Sequence, residues 1–190
     1  MKKTLLALAL LAGFAGSANA SELSYNFIEA DYVSIGDFGG GEDFDGFGLR
    51  GSVEFGENFY GLASYNSTSA SPFGVDIDID TYDFGLGFRH SINDKADFFV
   101  DASYSHISLD SFGGGADDNG YTVNVGFRGA FNEHFEGSIA ANHRDLGDFD
   151  SDTSLALGAH IKFNETWGIT ANTEVGGEDT RYSIGVRASF

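Results

Sequence analysis

Two acidic runs are the first candidates for chemistry. Asp76, Asp78 and Asp80 alternate with isoleucine, so an extended backbone would place all three carboxylates on one face. Asp148, Asp150 and Asp152 repeat the spacing around Phe149 and Ser151. Carboxylate oxygens are the hard ligands that suit Ca²⁺ or Mg²⁺, and weak divalent binding at either run is the cofactor chemistry these residues could supply. Neither run has the ligand spacing of an EF-hand, and a charge run is ordinarily a solvated face. Histidine beside carboxylate is the other candidate. His143 with Asp145 and Asp148 imitates a His-Asp pair, and His106 and His143 are the two of the five histidines nearest the long connections. Without a serine elbow, a phosphate loop or zinc spacing, such a pair is a weak motif. The expectation is therefore no enzyme and no catalytic residue.

A third set of charged residues is defined by its spacing. Glu29, Asp31, Glu54, Asp83, Asp101, Glu136 and Glu174 fall at the parity opposite the Phe, Leu and Val positions of an alternating pattern, and so do Arg50, Arg89, Arg128, Arg144, Lys162, Arg181 and Arg187. Seven acids thus face seven bases. Every basic residue after position 20 belongs to this set except Lys95. A random solvated surface would not sort its bases this way. Shared burial of both signs, with guanidinium forks answering carboxylates, would.

The elements that carry these residues have a period of two. Tyr82, Phe84, Leu86 and Phe88 alternate with Asp83, Gly85, Gly87 and Arg89; Tyr121, Val123, Val125 and Phe127 alternate with Thr122, Asn124, Gly126 and Arg128. This is strand periodicity with one apolar and one polar face. Similar short turns recur, as in Phe55-Gly56-Glu57-Asn58-Phe59 and Phe131-Asn132-Glu133-His134-Phe135. The pattern predicts ten strands, near 24–35, 44–55, 58–67, 79–90, 97–108, 119–131, 135–145, 152–163, 167–176 and 180–190, with eight as the alternative. Connections after strands 2, 4, 6 and 8 read as short. Those after strands 1, 3, 5 and 7 read as longer, rich in Gly and Asp.

An even strand number, short turns at one end and long loops at the other describe a closed antiparallel up-and-down transmembrane β-barrel. Strands of about ten residues suffice to cross a bilayer at a tilt, and closure leaves no unpaired edge in lipid. Phe55, Phe59, Phe131, Phe135, Phe163, Trp167 and Phe190 would form one aromatic girdle, and Tyr32, Tyr65, Tyr82, Tyr104 and Tyr121 the other. The alternative is a secreted soluble β-sandwich, which also alternates but needs no girdle.

Composition agrees. The 190 residues carry 29 Asp and Glu against 10 Lys and Arg, no Cys, one Pro, 27 Gly and 19 Phe. A net charge of −19 speaks against nucleic acid as a partner. Mean hydropathy is only −0.14 because apolar and polar residues alternate rather than cluster. Residues 1–20 read as a cleaved signal peptide: Lys2 and Lys3, an apolar run from Leu5 to Phe14, then Ala18-Asn19-Ala20. A membrane-anchor helix is the alternative for a segment that is short for spanning. Cleavage after Ala20 would leave residues 21–190 as one barrel domain with a charge of −21.

The last strand carries the specific resemblance. Tyr182, Ile184, Val186, Ala188 and Phe190 stand at alternate positions and end on an aromatic. In this the chain resembles bacterial outer-membrane β-barrel proteins, above all the small monomeric OmpA and OmpX type. The resemblance implies that these five residues are the signal read by the barrel-assembly machinery. It implies as partners that machinery, periplasmic chaperones, outer-membrane lipid and lipopolysaccharide, with the long loops outside a Gram-negative cell and the barrel a monomer. Ten strands depart from the eight of that type. A ten-stranded lumen is narrow, so the expectation is a charge-filled core with a structural or surface-interaction role. A narrow passive pore is the alternative, and a rim enzyme acting on lipid or peptide the third reading.

Overall fold

In the computed structural model, residues 23–36, 43–148, 151–177 and 179–190 are described. They form ten strands: β1 (Phe27–Gly36), β2 (Phe44–Phe55), β3 (Phe59–Ala70), β4 (Ile77–Asn93), β5 (Ala96–Ser111), β6 (Gly114–Asn132), β7 (Phe135–Asp145), β8 (Ser151–Lys162), β9 (Trp167–Val175) and β10 (Thr180–Ser189). Each pairs antiparallel with its neighbour in sequence, and β1 pairs with β10, so the sheet closes into a barrel. The ten-strand reading holds and the eight-strand alternative falls. A short 3₁₀ turn, Pro72–Gly74, holds the chain's single proline. Residues 1–20 and Asp150 lie outside the described residues.

The barrel is inside-out relative to a soluble fold. Phe47, Leu49, Phe84, Leu86, Phe127, Leu155, Leu157, Ile184 and Val186 are exposed, while Glu29, Asp83, Asp101, Glu136 and Arg187 are buried. The exposed side chains form a belt around the outside, far beyond the patch a soluble monomer tolerates. That excludes the sandwich, which would hide this face.

Two aromatic girdles bound the belt. At the turn end Phe55 packs on Phe59 and Phe59 on Phe88, with centroids 6.1 and 5.4 Å apart, and Phe131 meets Phe135 at 5.3 Å. At the loop end Phe47, Tyr65 and Tyr82 form a row at 5.7 and 4.8 Å, continued by His106 at 6.2 Å. Tyr121 carries His143 at 6.0 Å in the same way. Amphipathic rings belong at that interfacial depth.

The connection after β5 departs from expectation. It is a tight turn at Phe112 and Gly113, not a long loop, because β5 and β6 run on to Ser111 and Gly114. β4 likewise begins at Ile77. Beyond the tyrosine row the chemistry of the two faces reverses. The outer parity becomes Asp78, Asp80 and Asp110, and the inner parity becomes Ile77, Ile79, Ile107 and Leu109, with Ile79 opposite Leu109. A strand that has left hydrocarbon no longer needs apolar residues outside, so the reversal marks where the bilayer ends.

Candidate functional site

The lumen is the site the fold builds, and it has two tiers. The lower tier lies at the turn end, where the described residues begin at Leu23 and end at Phe190. Glu29, 0% exposed, receives Arg187 at 2.7 Å and has Arg50 at 4.0 Å. Arg89 bridges Glu54 and Asp97 at 3.3 Å each. Glu136 takes Arg128 and Lys162, both at 2.5 Å, and the His160 ring nitrogen lies 3.5 Å away. Strand register explains these meetings. Glu29 stands opposite Arg187 on one side and Arg50 on the other, and Glu136 stands opposite His160.

The segment before β1 folds into this tier as a floor. Leu23, Tyr25 and Phe27 are buried, as is Tyr60 from β3. The Tyr25 ring packs on Tyr60 at 4.7 Å and lies against the Arg89 and Arg128 guanidiniums at 5.3 and 5.0 Å. Arg187 covers the Phe27 ring at 4.0 Å. The backbone is tied in as well: Arg128 donates to the Ser24 carbonyl at 2.8 Å, the Tyr25 N–H to Glu54 at 3.2 Å, and the Glu54 N–H to the Asn26 side chain at 2.8 Å. A desolvated cation over an aromatic face contributes about 2 kcal/mol, so two such contacts help to hold the floor's central ring.

The upper tier is different. Asp83 accepts the Ser64 and Ser105 hydroxyls at 2.6 Å each. Asp101 accepts Tyr60 at 3.0 Å and Asn124 at 2.8 Å. Arg181 donates to Asn66 at 2.6 Å, across the lumen from β10 to β3, and Arg144 reaches Thr122 at 3.4 Å. Among the described residues, Asp31, Asp83, Asp101, Arg144, Glu174 and Arg181 make no ion pair within 4.0 Å, although Arg181 and Glu174 are register partners. Of the fourteen residues with lumen parity, eight therefore meet in ion pairs and six do not. Asp83, Asp101, Arg144 and Arg181 are held by neutral amides and hydroxyls, and Asp31 is buried with one carboxylate oxygen unpartnered. A cavity of ≈ 280 Å³ lies among them, lined by Arg50, Arg144, Arg181 and Glu174 and reaching down to the Tyr25 floor.

Asp97 adds to the lumen acids that the sequence pattern assigns. It is 1% exposed and paired with Arg89 inside the barrel. Its parity with Asp101 and Ser103 was the available signal. The floor residues Tyr25, Phe27 and Tyr60 were missed because an apolar ring at inward parity contradicts the rule that the polar face points in.

The acidic runs are not gathered. Asp76 accepts Ser71 at 2.7 Å and Asp80 accepts Tyr65 at 2.8 Å, while Asp78 stands opposite Asp110 on the outer face. Asp152 caps the Thr153 N–H at 2.6 Å, and the Asp148 N–H is given to Asp118 at 2.7 Å. Among the described residues no group of three or more His, Asp or Glu is placed to hold a metal ion. Asp118 also accepts the Asn119 N–H at 2.7 Å. It sits beyond the tyrosine row, and these two backbone donors, Asp148 first, hold its carboxyl below the usual aspartate range. The histidines have neutral partners: His106 contacts Asn119 and His143 contacts Thr153, both at 2.9 Å. His143 thus turns to a hydroxyl, not to Asp145 or Asp148.

Of the five residues to which the resemblance assigns the assembly signal, Tyr182, Ile184, Val186 and Ala188 share the outer parity of β10, where Ile184 stands opposite Tyr32, Val186 opposite Ala30 and Ala188 opposite Ile28, and Phe190 follows the strand. The Phe190 N–H donates to the Asn26 carbonyl at 3.1 Å, so the closing seam ends beside the floor segment.

An inside-out closed barrel with a polar lumen and two aromatic girdles defines an integral outer-membrane β-barrel protein. Residues 5–163 match the outer membrane protein beta-barrel domain, and the chain belongs to that family. The fold is similar to a solved KdgM porin in complex with disordered oligogalacturonate, at TM-score 0.53 and 14% identity over 85% of this chain and 99% of the porin. It is similar also to Neisserial surface protein A, at TM-score 0.51 and 13% identity over 88% of this chain and 98% of the other. No curated protein matches the chain.

Proposed function

We propose that the chain is a non-enzymatic, non-conducting barrel of the bacterial outer membrane, with a structural and surface-interaction role in the envelope. The signal peptide is cleaved after Ala20, the turn end faces the periplasm, and the acidic loop end faces outward. There Asp78, Asp80, Asp110 and Asp117 present negative charge to divalent cations or to partners outside the cell. The observation that carries the reading is the floor. Leu23, Tyr25 and Tyr60 are buried at the turn end, and Arg89, Arg128, Glu54, Asp97 and Glu136 close around them. A path for water would have to cross paired charges and packed rings. The His106 and His143 contacts to neutral groups support the absence of a hydrolytic site.

The pore reading draws on the upper cavity and on the likeness of fold to a porin. Liposome swelling separates the two. Reconstituted protein is expected to leave swelling in arabinose at the rate of empty liposomes; a protein-dependent rise would favour the pore.

A further inference from the structure

The tip of the β4–β5 hairpin carries a groove that the barrel itself does not use. The hairpin runs well past the loop-end girdle: Phe112 stands eight residues beyond Tyr104, roughly 25 Å of strand. Between the Pro72–Gly74 turn and the outer face of β4 and β5 lies a groove of ≈ 580 Å³, with Val75 and Phe112 for its apolar surface and Asp76, Asp78 and Asp110 around them. The Phe112 ring is 98% exposed and Val75 is also exposed. A ring left fully exposed at a turn adds little to folding, whereas rings of this kind are enriched among the anchors of protein interfaces.

Charge decides what such a groove accepts. Ser71 donates to Asp76 at 2.7 Å and fixes it on the turn. Asp78 and Asp110 stand directly opposite each other, and among the described residues neither carboxylate makes a hydrogen bond or an ion pair. Like charges directly opposite on a sheet repel, and a cation between them removes the repulsion. The chain brings none of its own, since no Lys or Arg occurs between Arg50 and Arg89 or between Lys95 and Arg128. A guanidinium fits carboxylates through its fork, and a cation also suits the face of an aromatic ring. A second copy of the chain would bring the same carboxylates and be repelled. Lipid headgroups lie back at the tyrosine row, and anionic ones would be repelled too. The complementary occupant is a basic segment of another protein.

We propose that this groove docks a basic, partly apolar peptide segment of a partner protein, with an arginine or lysine among Asp76, Asp78 and Asp110 and an apolar neighbour against Phe112 and Val75. The proposal names the partner chemistry of the surface role given above and rests on that reading for its setting outside the cell. Binding by purified protein does not depend on orientation, so the two can fail separately.

The test is fluorescence anisotropy of labelled octapeptides titrated with the folded protein in phosphatidylcholine nanodiscs, with empty nanodiscs as the blank. A peptide of alternating leucine and arginine is expected to bind saturably. A serine–arginine peptide of the same charge should bind about tenfold more weakly, and a leucine–glutamate peptide should not bind. Phe112→Ser should weaken the leucine–arginine peptide about tenfold, and Phe112→Tyr, which keeps the ring, should retain it. The pair Asp78→Asn and Asp110→Asn should also weaken it about tenfold. The pair Asp148→Asn and Asp179→Asn removes the same charge from exposed positions away from the groove and should change little. All these side chains are exposed, so the variants keep the fold, which gel mobility without boiling verifies. Absence of saturable binding overturns the proposal. So does equal binding of the leucine and serine peptides, no loss with Phe112→Ser, or equal loss from the two aspartate pairs, since each reduces the contact to non-specific charge.

Discussion

Glu136 carries more of the lumen than any other single side chain. It is buried, and Arg128, Lys162 and His160 all converge on it. Removing one member of a buried charge group costs about 3–5 kcal/mol, mostly through the charges left behind. Glu136→Gln should therefore fall near the lower end of that range, because glutamine retains one acceptor, and denaturant unfolding in lipid will read it. Glu57→Gln, on an exposed turn, should stay within about 0.5 kcal/mol. Asp118 offers a pH test outside the bilayer. Two backbone N–H groups stabilise its ionised form, so its folded pKa is depressed. The contact is complete above the ordinary aspartate value of about 3.9 and is lost only as pH falls through the lower folded value. The Asp148 amide resonance is expected to titrate with a midpoint below about 3.9; a midpoint at or above it would mean the contact is absent.

At the scale of elements, the strands were legible because alternation is a local property and each strand repeats it. Tyr82 to Arg89 and Tyr121 to Arg128 show the pattern directly. The extensions of β4, β5 and β6 were not, because the parity reverses at the membrane surface. Ile77 and Ile79 share the inward parity of Asp83, so the apolar residues change face within the strand. Segment 23–26 was illegible for another reason: its burial depends on Tyr60, Arg89 and Arg128, contributed by three other strands. Fourteen residues of lumen parity could be assigned, but parity says which way a side chain points and not which charge it meets. That is why eight of them pair and six do not. The belt itself can be tested on one strand. Leu86 is 64% exposed on the outer face of β4, between Tyr82 and the turn end. Leu86→Arg is expected to destabilise the barrel in lipid by about 2–4 kcal/mol, the cost of a charge near the bilayer midplane; an effect below about 0.5 kcal/mol would place this face in water.

For the whole molecule, the charge of −19 resolves into a map. The lower lumen is neutralised, the upper lumen holds guanidiniums and carboxylates apart, and the excess acid lies toward the loop end. Closure of the sheet creates the lumen, and residues 23–26 then close it, since Phe190 follows β10 beside Asn26, and Leu23 and Tyr25 are buried. The central claim is that this floor seals the barrel. Single-channel recording in planar bilayers tests it most directly. Wild-type protein, inserted and shown folded by its gel mobility without boiling, is predicted to give a flat baseline, whereas Tyr25→Ala, which removes the ring that both Arg89 and Arg128 contact, is predicted to give brief openings. Stable steps of nanosiemens size from the wild-type protein would contradict the account.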